Sequence, residues 1–199
     1  MKHYSADESV IVIDINGEAR AHSDRHLLRP HIAGNEQTLG GEEVVMTYCG
    51  LTNLGMAYTP EIDGQKVDLA AFTQLENNLV MYDKVTGEPI QQLWGSKESD
   101  QVANDKAPKM KEQPTFRMPF SKFVEAYPKG QVFLNDYITK EMRPTFWQNP
   151  FLAIYDPIMD FIFETAVTFQ AKSDKPTFPT IKVKDTRLPN KALVWGSEY

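Results

Sequence analysis

The sequence predicts an α+β fold: a mainly antiparallel sheet or small barrel with a few helices, one of them a long amphipathic helix near the C-terminus. Three observations predict it. Short β-branched runs alternate with tight-turn signals through the first 135 residues. The stretch 149–170 is instead dense in apolar residues, with carboxylates recurring every four positions. The chain has 199 residues, 41% hydrophobic and 24% charged, an ordinary globular composition with room for one substantial core.

Ser9 to Ile15 is β-branched and almost wholly apolar, as a strand covered on both faces would be. Asn16-Gly17 follows, a strong hairpin signal because both residues tolerate the positive φ of a type I′ turn, and Glu18 to His22 reads as the returning strand. Ser23 caps a short helical turn through Leu28 that Pro30 ends. Gly40-Gly41 precedes a strand at Glu43 to Cys49. Further strands fall at Leu54–Thr59, Lys66–Phe72 and Leu79–Asp83, punctuated by Asp63-Gly64 and Thr86-Gly87. Lys97 to Gln113, polar and lysine-rich, reads as a mobile surface loop. Pro119 to Tyr127 reads as a helix capped by Ser121, with Phe120, Phe123, Val124 and Tyr127 on one face, and Gln131 to Leu134 as one more strand.

From Asn149 to Gln170 the expectation is a helix burying Phe151, Ile154, Tyr155, Ile158 and Ile162 and turning Asp156, Asp160 and Glu164 to water. Three carboxylates exclude a bilayer span, since each would cost several kcal/mol in hydrocarbon. The chain thus divides into a β-rich core, 1–135, and a segment 136–199 in which the helix and an extended Pro/Lys-rich stretch pack on the same domain. Leu193-Val194-Trp195 reads as a terminal strand, either joining this sheet or opening a further unit.

The formal charge of −6 argues against a nucleic-acid partner, whose phosphates demand a concentrated basic surface. From Ala171 onward six Lys/Arg face three Asp/Glu, so residues 1–170 carry −9. A single cysteine means no internal disulfide. Met1-Lys2-His3-Tyr4 leads into polar residues, so the chain as written reads as cytoplasmic, or as exported if a signal peptide was removed.

Several stretches stand together in order: Ile13 to Ala21 (Ile-Asp-Ile-Asn-Gly-Glu-Ala-Arg-Ala), His31, Gly40-Gly41-Glu42 through Val45, and Thr47-Tyr48-Cys49. Asn78 to Lys84, Thr86-Gly87 and Leu93-Trp94 follow. With these, residues 9–135 resemble the domain of unknown function 3179 family. The resemblance implies a bacterial or archaeal, often exported protein, and no particular activity. The family's cysteine segment usually reads Cys-Pro-Leu-Cys-Gly. Here it is Cys49-Gly50-Leu51-Thr52-Asn53, so a CxxC redox couple or two-thiolate metal site does not carry over.

Cys49 closes a predicted strand beside a glycine turn, where its thiolate could ligate zinc or copper, with His31 the imidazole partner by family position and His22 and His26 as further nitrogen ligands. The principal expectation is a small-ligand or metal-binding module in which His31 and Cys49 approach each other, with Tyr48, Tyr82, Asp83 and Trp94 around the ligand. One alternative is a Cys-His hydrolase with Asn35 or Asp83 orienting the base. The other is a non-catalytic interaction module that docks a partner, or a second copy, through the 150–170 helix or the C-terminal strand. Residue types alone leave these open.

Overall fold

A computed structural model describes residues 3–34, 37–75, 78–97, 107–139 and 142–175, together with Arg187 and Pro189; of Gln170 and Ala171 only the backbone is described. The first hairpin is β1 (Ser9–Ile15) and β2 (Glu18–Ser23). Its two-residue turn has φ of 53° at Asn16 and 83° at Gly17, the left-handed conformations that this dipeptide accepts at low cost. Helix α1 (Asp24–Leu27) follows, its Ser23 hydroxyl accepting from the Arg25 N–H as expected of a cap. Next come β3 (Ile32–Ala33), the small hairpin β4 (Thr38–Leu39) and β5 (Glu42–Glu43), then the hairpin β6 (Val45–Cys49) and β7 (Leu54–Thr59). β8 (Glu61–Ile62) and β9 (Gln65–Lys66) turn at Asp63-Gly64, and β10 (Leu69–Leu75), β11 (Asn78–Asp83) and β12 (Pro89–Gln91) form a meander. The chain closes with β13 (Lys111–Gln113), β14 (Thr115–Pro119), α2 (Phe120–Ala126), β15 (Gln131–Val132), α3 (Asp136–Thr139) and α4 (Pro150–Lys172).

Three open sheets stack, in the orders β14-β1-β2-β15, β13-β7-β6-β3 and β10-β11-β12. Every ladder is antiparallel except β2–β15. No ladder among the described residues closes on itself, so the fold is layered and not a barrel. The alternation of β1 accounts for the stacking. Val10 and Val12 point to Phe120 and Phe123 of α2, while Ile11, Ile13 and Ile15 point to Met46, Tyr48 and Ala57 of the second sheet. That sheet turns its other face, with Val45, Cys49, Met56 and Tyr58, onto Leu69, Met81 and Ile90 of the third.

Two expectations from the sequence are corrected here. Part of the supposed mobile loop is built into the sheet: β13 pairs with β7 and Met110 is buried, because its one large apolar side chain reaches the core of the meander. The rest of that loop, 98–106, lies outside the described residues, as do Asn35 and Leu193-Val194-Trp195. Ser121 does not cap α2. Pro119 holds the N-cap position without a side-chain bond, and the Phe120 and Ser121 amides donate to the carbonyls of Glu8 and Ala6 instead.

Helix α4 inverts the orientation read from the sequence. Asp156 is only 2% exposed, whereas Phe161 and Phe169 are 70% and 75% exposed, and Phe151, Ile154, Tyr155, Ile158 and Ile162 also face outward. The reason is the partner surface. Where α4 meets the body it meets Arg29, Tyr137 and Arg143, so Asp156 and Asp160 turn inward to pair with them, while Glu164 stays exposed as the sequence suggested. Val167 alone from the described inner side joins the core that contains Leu28 and Tyr48.

Candidate functional site

The sequence motifs first lead to β6. The Tyr48 N–H donates to the His31 carbonyl at 2.7 Å, and Ile32 and Ala33 stand opposite Thr47 and Met46. His31 is therefore level with Tyr48 and shares its face of the ladder, towards the β1–β2 layer. Cys49, one residue on, alternates to the opposite face. It is 2% exposed, and its Sγ lies 3.4 Å from Nε2 and 3.6 Å from Oε1 of Gln74. The period of two that builds the strand thus separates the thiol from the imidazole. The register therefore places His31 and Cys49 on opposite faces of the ladder and not, as the sequence led one to expect, together on one. Among the described residues no three His, Cys, Asp or Glu side chains gather as metal ligands.

The other expected site residues are dispersed as well. The Asp83 carboxylate accepts from the Asp68, Val85 and Thr86 amides and from the Thr86 hydroxyl, which makes it the organiser of the turn after β11. Burial pushes its pKa up, but those donors outweigh it and hold the carboxyl below its ordinary value. Tyr82 packs its ring edge-on against Phe72, 6.0 Å between centroids. Trp94 stands in the turn after β12, 58% exposed. Tyr48 donates to Asn53 Oδ1 at 3.1 Å, and burial raises its pKa.

His22 and His26 are buried, and burial lowers both pKa values, that of His22 to about 3. His22 stacks on Phe133 at 5.4 Å. His26 stacks on Tyr4, and its Nδ1 accepts from the Asn135 N–H at 3.2 Å, so the ring is fixed by packing and one bond. The Asn-Gly-Glu-Ala-Arg-Ala motif is likewise structural. Asn16 donates to the Gly40 carbonyl at 2.8 Å and Glu18 accepts the Gly40 N–H at 3.1 Å, clasping the two glycine turns together. Arg20 donates to Gln131, Gln37 and the Thr38 carbonyl, joining β2, β15 and β4.

The structure assembles a different polar centre, one that sequence reasoning missed. A cleft of ≈ 440 Å³ lies between α1, the segment from α3 to Pro144, and α4. Asn135, behind it, ties two of its walls together. The side chain donates to the His26 and Arg29 carbonyls at the end of α1 and accepts from the Tyr137 N–H at 2.9 Å to start α3. Tyr137 is thereby held between two guanidinium groups, with Arg29 and Arg143 at 4.9 and 5.1 Å from the ring centroid. Asp156 accepts from the Tyr137 hydroxyl and pairs with Arg29 at 3.4 Å. Arg143 donates to the Tyr137 carbonyl at 2.6 Å and pairs with Asp160 at 2.5 Å. Burial and then the bond to Asp156 raise the Tyr137 pKa, so the phenol stays protonated and donating. These residues are spread from 25 to 164 with no local motif. The one available signal was a carboxylate repeating inside an apolar run, which fits a buried ion pair as well as a solvated face.

No curated protein and no solved structure matches the chain. The sequence model of the family described as protein of unknown function DUF3179 matches residues 1–199, and the chain belongs to that family.

Proposed function

We propose that the chain is a non-catalytic interaction module that pairs with a second copy of itself through the outer face of α4. The observation that supports the reading is the inverted helix. Phe151, Tyr155, Phe161 and Phe169, 40% to 75% exposed, together present on the order of 500 Å² if a whole ring side chain carries about 200 Å². Ile154, Ile158 and Ile162 lie between them and bring the stripe towards the ~800 Å² per partner of a stable interface. That is at or above the largest apolar patch of a typical monomer, roughly 300–600 Å².

The choice of a second copy rests on charge. Two copies of a chain carrying −6 repel each other over most of their surfaces. Asp156 and Asp160 are turned inward onto arginines, and the ionised groups left beside the stripe, Glu164 and Lys172 next to Phe161 and Phe169, are of opposite sign, so two such faces meet without a net like charge. An isologous contact also satisfies both copies at once. An anionic membrane surface fits less well, since Lys172 is the only basic residue of α4 and an interfacial helix needs a basic rim.

Sedimentation velocity across protein concentration tests the proposal. The expected result is a monomer–dimer equilibrium that Phe161→Glu shifts to monomer, with the far-ultraviolet spectrum retained. A monomer up to ~100 µM, weaker than an interface of this size ordinarily supports, overturns it. So does a dimer indifferent to Phe161→Glu, or a monomer that cosediments with phosphatidylcholine vesicles.

A further inference from the structure

We infer that the cleft beneath α4 binds a small zwitterion with an apolar body, of the class of an apolar α-amino acid. The inference rests on how the cleft's six charged residues divide. Three cations and three anions line it: Arg25, Arg29 and Arg143 against Asp156, Asp160 and Glu164. Arg29 is paired with Asp156 and Arg143 with Asp160, and both guanidinium planes are fixed against Tyr137. These two pairs neutralise one another and shape the wall. The Arg25 guanidinium and the Glu164 carboxylate remain, and among the described residues neither has a side-chain partner. Both are on exposed residues, one on α1 and the other on α4, so the cleft presents one unpaired positive and one unpaired negative group from its opposing walls.

The ligand that completes such a pair carries a carboxylate for Arg25, where a planar fork gives two parallel hydrogen bonds, and an ammonium for Glu164. A monoanion would leave Glu164 unmatched and repelled, and a phosphate dianion would add two charges to a cleft already balanced between Arg and carboxylate. Between the two charged groups the walls are apolar, with Leu28, Ile138, Leu152 and Phe163 lining the space. The volume of ≈ 440 Å³ lies in the range of small-molecule sites and exceeds what one apolar side chain needs, leaving room for the polar end and its water. Arg29 adds a preformed donor, because its Nη1 is buried without a hydrogen-bond partner.

The test compares four probes by isothermal titration calorimetry on the full chain: L-phenylalanine, 3-phenylpropanoate, phenethylamine and inorganic phosphate. The three organic probes share one apolar body and differ only in charge. L-Phenylalanine is expected to bind at least about tenfold more tightly than any of the others. Arg25→Gln and Glu164→Gln, both at exposed positions, should each weaken it by about tenfold or more while leaving thermal melting unchanged. In the Glu164→Gln variant the preference for L-phenylalanine over 3-phenylpropanoate should disappear. No heat of binding for any probe at ~10 mM overturns the inference, that being the weakest affinity a site of this size would be credited with. Equal affinity for L-phenylalanine and 3-phenylpropanoate in the unmodified chain does so too, and so does binding that both variants leave intact. Sedimentation of Arg25→Gln keeps this result separate from the self-association above, since Arg25 lies on α1 and not on the outer face of α4.

Discussion

His22 sits 2% exposed against Phe133, and burial, with Arg20 adding to it, keeps its ring uncharged down to about pH 3. The unfolded chain takes up that proton near pH 6.5. Below 6.5 the unfolded state therefore binds more protons than the folded one, so stability falls as pH drops towards 3 and is regained as pH rises. His22 contributes up to about 1.4 kcal/mol per pH unit to that slope. Denaturant midpoints measured from pH 7 down to about 5 should fall in the parent chain and flatten in His22→Phe, and an unchanged slope in the variant would contradict the assignment. Gly40 shows a steric limit at the same scale. Its φ is +57°, and an added Cβ would lie 2.1 Å from the Ile15 carbonyl oxygen, inside any permitted contact. Gly40→Ala should cost about 1–2 kcal/mol for the backbone conformation alone, and more for the displaced clasp at Asn16 and Glu18. A melting temperature equal to that of the parent would refute this. The family-like residues around Gly40 thus make the contacts of a tight turn.

Among the elements, hairpins were the most legible, because a turn dipeptide and the two strands beside it are adjacent in the chain. Asn16-Gly17 and Asp63-Gly64 both adopt the positive φ values their residues allow, and Leu54–Thr59 forms over the span its apolar run suggests. Helix α4 was legible as a helix but not in its orientation. Period alone sorts its residues into two faces; which face turns inward depends on Arg29, Tyr137 and Arg143, positions that only tertiary structure brings beneath it. Asp156 carries most of that docking, since it meets both a guanidinium and a phenol. Asp156→Ala leaves both unmatched and should cost about 1.5–3 kcal/mol. Asp156→Asn, which keeps an acceptor, should cost less. Hydrogen exchange in α4 should quicken in Asp156→Ala, and identical protection in both variants would show that packing at Val167 holds the helix instead.

At the scale of the whole molecule the α+β class and the antiparallel character followed from strand lengths and turn spacing, while the three-layer stacking did not. Layering depends on which strands become neighbours across long separations, and no local pattern reports that. The candidate site shared this fate: Cys49 ends β6 and His31 stands just before its neighbour β3, but the pleat points them apart, whereas Arg25 and Glu164 line one cleft from distant parts of the chain. The first sheet has a consequence for synthesis. β1 finds β2 across two residues, but its other edge waits for β14, where Ser9 pairs with Pro119, and the free edge of β2 waits for β15, where Arg20 pairs with Gln131. A nascent chain on the ribosome therefore carries its most apolar hairpin with both edges open until strands about a hundred residues downstream have been made, a state that invites pairing with other emerging chains. A fragment ending at residue 110 should lack a cooperative melting transition and aggregate on release, whereas one ending at residue 139, which holds both missing strands and α2, should recover the transition. Cooperative melting of the shorter fragment would show that the second and third sheets fold without the first, and that the open hairpin is tolerated until its partners leave the exit tunnel.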